Sequence, residues 1–266
     1  MLDWLVKLAE YNVLVFMLAL FALLFVALEL GFLGGRLAKQ KAWVSKEATQ
    51  SSGVIIGGMM TFLAFFMGMS LSIAFAGFQH RQAGVVTEAK AIETAWYMAG
   101  TQSENGGADI QSLLGEYAMV RIRASSMVSS DEERPDVFRV TGDLQNKTWE
   151  IASQIEEEQG TFAAGLLLSA LTEMFNSSTQ QRQAFDMRVP VHIGKLLVIT
   201  ATAALLLIGF HIGMIGTRLW FTSGLLVITV VGAIGLISDL SRPYHGGINV
   251  APNALQWTID RMQQED

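Results

Sequence analysis

Four long apolar segments dominate the pattern of the chain. Each is long enough, at about 1.5 Å per residue in a helix, to cross a hydrocarbon core about 30 Å thick. The pattern therefore predicts four transmembrane helices, here called spans one to four: Tyr11–Gly34, Gly53–Phe78, Val191–Gly216 and Leu219–Ile237. Because only Thr217 and Arg218 separate spans three and four, these two are expected to form a tight antiparallel hairpin.

The long segment between spans two and three is polar but keeps the period of amphipathic helices. A first apolar stripe continues directly from span two, so that span is expected to run on as one helix. A second stripe begins after Gly106 and Gly107, and Pro135 is expected to end it. A third is expected to end at Gly160, and a fourth helix is expected over Phe162 to Phe185. The first stripe is Val85, Ala89, Ile92, Trp96 and Ala99, and the second is Ile110, Leu113, Leu114, Tyr117 and Val120.

These patterns predict an all-α membrane protein with four transmembrane helices and a helical insert domain between the second and the third. The predicted organisation is a first transmembrane hairpin over 1–78, a water-facing helical domain over 79–189, a second transmembrane hairpin over 190–238 and a C-terminal tail over 239–266. No segment has the strict alternation of apolar and polar residues that is typical of a β-strand.

The composition agrees with a lipid environment and excludes several classes of function. Hydrophobic residues make up 51% of the chain and charged residues only 16%, so an ordinary soluble enzyme is excluded. The chain has no cysteine, which excludes disulfides and thiolate metal sites. A net charge of -6 gives no electrostatic basis for binding nucleic acid. No catalytic motif is present and the four histidines lie far apart in sequence, so we expect no enzyme, no metal site and no cofactor.

The charges between the spans predict an orientation. The loop between spans one and two holds four cations and a single acid, Glu47; the cations are Arg36, Lys39, Lys41 and Lys46. The short loop between spans three and four holds Arg218. The positive-inside rule places both loops in the cytoplasm. The termini and the helical domain would then lie on the outer face.

Three features inside the spans are candidates for packing or for ion passage. Three pairs of glycines at a spacing of four would let helices approach closely: Gly31 with Gly35, Gly53 with Gly57, and Gly209 with Gly213. In span two, Phe62 and Phe66 share a face with Gly58 and Ser70, which could form an apolar constriction in a pore or could pack against lipid or other helices. Glu29 is the one carboxylate inside a span and would serve as an interfacial anchor or at a pore mouth.

Charged residues follow spans two and four directly. Arg81 and Glu88 come after span two, and Asp239 and Arg242 come after span four. Because both segments should emerge on the same membrane face, we expect these four residues to form a structural charge cluster at the membrane boundary.

These two charged segments also carry a family resemblance. Their order around a helical insert, over roughly residues 12 to 255, resembles that of the bacterial bestrophin-like membrane proteins. The matching residues after span two are Arg81, Val86, Glu88, Ala89, Ala91, Ile92, Thr94 and Ala95, and those after span four are Asp239, Arg242, Pro243, Gly246, Ile248, Asn249 and Val250. Two positions depart from the family pattern: Ser241 replaces an expected acid and Glu93 replaces an expected glycine.

The resemblance implies a function and an assembly. Bestrophins, which are similar in layout, are homopentamers in which the second span lines an ion pore, so the resemblance implies a bacterial inner-membrane channel for small inorganic ions. It also implies a cytoplasmic helical domain, whereas the loop charges place that domain outside, and both orientations remain open. The alternative function is a non-conducting membrane scaffold whose helical domain binds a partner protein. Oligomeric state discriminates between the two, because an axial pore needs a ring of identical spans.

Overall fold

The described part of the chain is entirely helical. The computed structural model describes residues 12–41, 46–102, 106–126, 134–187, 189–218, 220–242 and 247–265. These residues form eight helices and no strand. The helices are α1 Val13–Gln40, α2 Lys46–Gly100, α3 Gly107–Ser126, α4 Arg134–Gln159, α5 Phe162–Asp186, α6 Val191–Ile215, α7 Trp220–Leu240 and α8 Asn253–Glu265. The prediction of an all-α fold is confirmed at this level.

Four of these helices, α1, α2, α6 and α7, are long and apolar enough to cross a membrane. They correspond to the four predicted spans, although the predicted end residues Tyr11 and Leu219 lie outside the described residues. Local chemistry sets the ends of two of them. The Oδ1 atom of Asn12 accepts hydrogen bonds from the backbone N–H groups of the first turn of α1, and Gly216 ends α6 in the left-handed conformation at φ 92°.

The helix α2 is continuous over 55 residues. It contains span two and the first amphipathic stripe, so the expectation that the span runs on is confirmed. The stripe from Val85 to Ala99 contains no glycine or proline, so nothing in its sequence favours a break in the helix. The helix ends at Gly100, and Gly106, at φ 90°, directly precedes α3.

The chain divides into two compact units. Unit 1 contains Met1–Ala76 and Arg188–Ile248, and unit 2 contains Gly77–Met187 and Asn249–Asp266. The boundary between them falls inside α2. Unit 1 therefore contains α1, the first part of α2, α6 and α7, and unit 2 contains the rest of α2 with α3, α4, α5 and α8.

In unit 1, α1 and α6 run parallel and meet through their glycines. A Cβ atom added to Gly31 would lie 2.0 Å from the backbone oxygen of Leu206, and one added to Gly209 would lie 2.0 Å from that of Leu28. The same closeness holds one turn further on at Gly35 and Gly213. Two of the three predicted glycine pairs therefore form one reciprocal interface inside the subunit, where small residues allow backbones to touch.

The third glycine pair is different. Nothing lies within 4 Å of a Cβ added to Gly57, and one added to Gly53 meets only the ring of His211, at 4.0 Å. Gly58 and Gly68 on the same helix are equally open. This pair does not pack against another helix backbone within the described part of the subunit.

In unit 2, the predicted apolar stripes form one core. The members of this core come from α2, α3, α4, α5 and α8, and include Ile92, Ala95, Ile110, Leu114, Leu144, Ala152, Leu167, Leu171 and Leu255. One prediction here is wrong. Pro135 does not end α3, which stops at Ser126; it lies in the first turn of α4, where its missing N–H group has no helical partner to lose.

The helix α8 lies within residues 239–266, for which the sequence predicts only a tail. It packs in unit 2 through buried Leu255, Ile259 and Met262. Its Arg261 forms an ion pair with Glu93 of α2. Glu93 is one of the two departures from the family pattern, and this pair gives it a structural partner.

Candidate functional site

The span of α2 is the least covered of the four apolar helices. Within its apolar segment only 17% of the residues are buried, compared with 28% in α1, 44% in α6 and 33% in α7. The exposed positions include large apolar side chains as well as the open glycines: Val54, Ile55, Phe62, Phe65, Met69, Ile73 and Phe75. A helix with so few neighbours inside its own subunit leaves most of its surface to lipid, to another subunit or to a pore.

The proposed constriction residues differ in their exposure. The rings of Phe62 and Phe66 are stacked, with centroids 6.1 Å apart and planes 5° apart. Phe62 is 52% exposed, whereas Phe66 is 8% exposed and lies on the buried strip of α2 with Leu63 and Ser70. The hydroxyl of Ser70 donates to the backbone oxygen of Phe66 at 2.8 Å, inside its own helix. Of the predicted face, therefore, Gly58 and Phe62 are exposed while Phe66 and Ser70 are covered.

The carboxylate of Glu29 has a partner in unit 1. Its Oε2 atom accepts a hydrogen bond from Nη2 of Arg218 at 2.7 Å, and the two side chains are 25% and 41% exposed. The guanidinium of Arg218 also lies over the rings of Phe32 and Trp220, at 4.6 and 4.2 Å from their centroids. Pairing removes most of the cost of placing a carboxylate in an apolar helix, because the charge is compensated locally.

The charged residues after span four hold the end of α7. The two carboxylate oxygens of Asp239 accept hydrogen bonds from the backbone N–H groups of Gly247, at 2.7 Å, and Ile248, at 3.0 Å. Arg242 donates through Nη2 to the hydroxyl of Ser238 at 2.6 Å. Asp239 thus fixes the chain that follows the helix. The motif positions Pro243 and Gly246 lie outside the described residues.

The charged residues after span two are buried in unit 2. Arg81 is 2% exposed and its Nη1 atom lies 3.5 Å from the backbone oxygen of Met187. Glu88 is fully buried and forms a bidentate pair with Arg121 of α3: its Oε1 lies 2.6 Å from Nε and its Oε2 lies 3.2 Å from Nη2. Inside unit 2, then, the partner of Glu88 is Arg121, which the sequence analysis did not identify. The predicted four-residue cluster, whose other half lies in unit 1, stays a prediction.

The pair of Glu88 and Arg121 belongs to a larger buried network. The hydroxyl of Tyr117 donates to Oε1 of Glu88 at 3.3 Å, and Arg121 also donates to the side-chain oxygen of Gln181 on α5. Gln145 of α4 donates to the Tyr117 hydroxyl at 3.4 Å. Burial raises the pKa of Tyr117 to about 12, the charge of Glu88 adds to the rise, and the Arg121 guanidinium opposes it. This buried network, defined as Glu88, Tyr117, Arg121, Gln145 and Gln181, therefore links four helices of unit 2.

A sequence signal for this network exists. Arg121 lies four residues after Tyr117 and seven after Leu114, so it is in phase with the apolar stripe of α3. Gln181 is similarly in phase with Met174 on α5. Polar side chains at core positions need partners, since a buried charge without one is costly. Stripe positions occupied by Arg and Gln thus mark the network.

The described residues hold no cluster of side chains suited to a metal ion. No three His, Asp or Glu side chains among them lie close enough to share a metal ion. A groove of about 300 Å³ in unit 2 is lined by His80 with hydroxyl and amide side chains, among them Thr87, Ser177, Gln180 and Gln183. Its described lining includes no carboxylate.

Known proteins similar to this chain identify its family. A family model described as the Bestrophin-like domain matches residues 16–255. Two crystal structures of a bacterial bestrophin homologue from Klebsiella pneumoniae match in fold. The first, of a tryptophan-to-alanine variant, is 16% identical with a TM-score of 0.66, over 91% of this chain and 96% of that one. The second, of a tyrosine-to-alanine variant, is 15% identical with a TM-score of 0.63, and the match covers 91% of this chain and 98% of that one.

None of the curated proteins compared with the chain matches it. The family match nevertheless covers most of the sequence, and the predicted resemblance is confirmed. With its apolar helices and the ordered charged segments after spans two and four, this chain belongs to the bestrophin-like family of membrane proteins.

Proposed function

We propose that the protein is a homo-oligomeric ion channel of the bacterial inner membrane, in which the span of α2 from each subunit lines an axial pore. The observation that carries this proposal is the low burial of α2: only 17% of its apolar segment is covered inside the subunit. Membership of the bestrophin-like family supports the same assignment. About five copies, as in bestrophins, would place five identical exposed faces around one axis.

The two phenylalanines have separate roles in this proposal. Phe62, which is 52% exposed, supplies the apolar ring that narrows the pore. Phe66 is 8% exposed and stacks on Phe62, so it sets the position of the Phe62 ring from inside the subunit. A ring of apolar side chains makes hydration of an ion unfavourable, so it can close a pore by excluding water without any charge in the path.

The open glycines fit an α2 surface that other subunits cover. Gly57, Gly58 and Gly68 have no neighbour within 4 Å of an added Cβ in the described part of the subunit. In the assembly they would allow α2 helices or adjacent subunits to approach closely. Unit 2 would form a water-filled vestibule on one side of the pore. Glu29, held by Arg218, would lie at a mouth of the pore or anchor the helix at the membrane boundary.

An ion-flux experiment tests the proposal. Purified protein is reconstituted into liposomes, and efflux of small inorganic ions is measured for the wild type, Phe62→Ala and Phe66→Ala. Phe62→Ala should raise conductance because it removes an exposed ring from the constriction. Phe66→Ala should lower the free energy of unfolding by about 3 to 5 kcal/mol, since it removes a buried aromatic side chain. It should raise conductance less than Phe62→Ala does.

A matched control comes from the same helix. Phe75 is 49% exposed and lies about 140° around the α2 axis from Phe62, at 3.6 residues per turn, so Phe75→Ala should leave conductance unchanged. If none of the four proteins passes ions over a range of salts and pH, and the purified protein is monomeric, the scaffold function replaces the channel. Equal increases for Phe62→Ala and Phe75→Ala would show that α2 does not face the pore through Phe62.

A further inference from the structure

One end of unit 1 concentrates positive charge. Arg36 and Lys39 lie in the last turns of α1, Lys41 follows that helix, and Arg218 lies in the connection between α6 and α7. We call these four residues the cationic end. Among the side chains that the structure describes there, the acid is Glu29, which pairs with Arg218. Four cations against one carboxylate leave a surplus of three positive charges.

Contacts within unit 1 bring these cations together. The Nζ atom of Lys39 donates to the backbone oxygen of Ile215, at 2.7 Å, so the ends of α1 and α6 are adjacent. Arg218 is fixed by its pair with Glu29 and by the rings of Phe32 and Trp220. Arg36 lies one helical turn beyond Phe32 and is exposed. The cationic end is therefore a preformed cluster on helix ends rather than a set of charges on a long loop.

Exposed apolar side chains surround the cluster. Leu33 and Leu37 of α1 are 49% and 55% exposed, and Phe221 at the start of α7 is 84% exposed. Trp220, which touches Arg218, is 56% exposed. Tryptophan is enriched where a membrane protein crosses the lipid headgroups, because its ring is apolar and its N–H is polar. The cluster thus lies where apolar helix surface changes to charged surface.

We propose that the cationic end binds the headgroup of an anionic phospholipid of the surrounding bilayer. The phosphate lies near Arg36 and Lys41, and Lys39 and Arg218 add to the positive field. The acyl chains lie along Leu33, Leu37 and Phe221. Cationic groups near a membrane surface attract anionic lipids, and the attraction falls within a Debye length.

The surroundings favour a lipid over a soluble anion. A soluble phosphate would contact only the charges, whereas a phospholipid would contact both the charges and the adjacent exposed side chains of Leu33, Leu37 and Phe221. The other described end of α6 carries Lys195 and lacks such a cluster among the described residues. The inference does not depend on ion conduction, because a channel and a scaffold would be anchored by the same contacts.

A lipid competition experiment tests this site. Full-length protein in detergent is exposed to equal amounts of phosphatidylglycerol and phosphatidylcholine, and the bound lipids are counted by native mass spectrometry. We expect phosphatidylglycerol to exceed phosphatidylcholine by about fivefold or more, because each cation near an anionic surface favours binding by roughly that factor. The double variant Arg36→Gln/Lys41→Gln should bring the ratio close to one. Raising the salt concentration should lower the wild-type ratio.

Two controls separate charge from folding. Arg36→Lys/Lys41→Arg keeps both charges and should keep the ratio, and Lys195→Gln removes a charge from the other end and should also keep it. Three results would overturn the proposal. The ratio could stay unchanged in Arg36→Gln/Lys41→Gln, or Lys195→Gln could lower it as much as that double variant does. The wild type could also show no preference for phosphatidylglycerol. Competition by glycerol phosphate alone would assign the cluster to a soluble anion instead. A preference seen only in dissociated subunits would assign it to contact with a second copy.

Discussion

Breaking the buried pair of Glu88 and Arg121 should cost more stability than breaking the exposed ion pairs of Arg139. Glu88 is fully buried and Arg121 is 6% exposed, and the pair is bidentate. Arg121→Met keeps the length of the side chain but leaves the carboxylate with the hydrogen bond from Tyr117 and no cation. Removing one partner of such a pair costs about 3 to 5 kcal/mol, because an uncompensated charge remains buried.

The structure also provides the comparison that separates burial from charge. For a protein of this size, 1 kcal/mol corresponds to about 2 to 4 °C in melting temperature, so Arg121→Met should lower it by roughly 10 °C. The double variant Glu88→Gln/Arg121→Met should recover much of that loss, since no charge is left unpaired. Arg139, whose pairs with Asp136 and Asp143 are exposed, is the control, and Arg139→Met should cost about 1 kcal/mol or less.

Thermal unfolding of the purified protein in mild detergent measures these differences. Equal melting temperatures for Arg121→Met and Arg139→Met would refute the reasoning. Burial would then have no effect on the stability that is lost when an ion pair is broken. A double variant no more stable than Arg121→Met would also refute it. The stability of the network would then come from the attraction between the two charges, and not from the absence of an unpaired buried charge.

Three further results are expected. Gly31→Ala should lower the free energy of unfolding by at least about 1 to 3 kcal/mol, the typical cost of overpacking, because its Cβ would meet the backbone of Leu206, whereas Gly57→Ala should leave the stability of the isolated subunit unchanged. In a spectrophotometric pH titration, one of the four tyrosines should ionise only near pH 12, and Tyr117→Phe should remove that step. Because the folded pKa is raised, the stability that comes from neutral Tyr117 is present below about pH 10 and is lost as the pH rises towards 12. Asp239→Ala should speed proteolysis near Gly247, since it leaves two backbone N–H groups without their acceptor, while Asp239→Asn should do so less.

Hydrophobic periodicity predicts the helices because each one hides an apolar face or crosses lipid. The four apolar helices and the stripes of α2 to α5 follow from this rule, and the glycine spacing correctly marks the close approach of α1 and α6. The same rule would have predicted α8, where Leu255, Ile259 and Met262 recur at steps of four and three after Pro252. Its short length and polar composition conceal the pattern.

Partner identity is harder to predict than secondary structure. Glu88 and Arg121 are 33 residues apart, and only the tertiary packing of α2 against α3 brings them together. The difference between Phe62 and Phe66 has the same origin. Both lie on one predicted face of α2, but the residues that cover Phe66 come from other segments of the chain. The helical period of 3.6 shows which residues share a face, but it does not show which part of that face other segments bury.

Imaging of single particles of the detergent-purified complex tests the central claim most directly. The claim predicts a ring of about five subunits with the α2 helices nearest the axis and the Phe62 side chains facing it. A monomer, or a ring with α1 or α7 at its axis and α2 facing lipid, would contradict it.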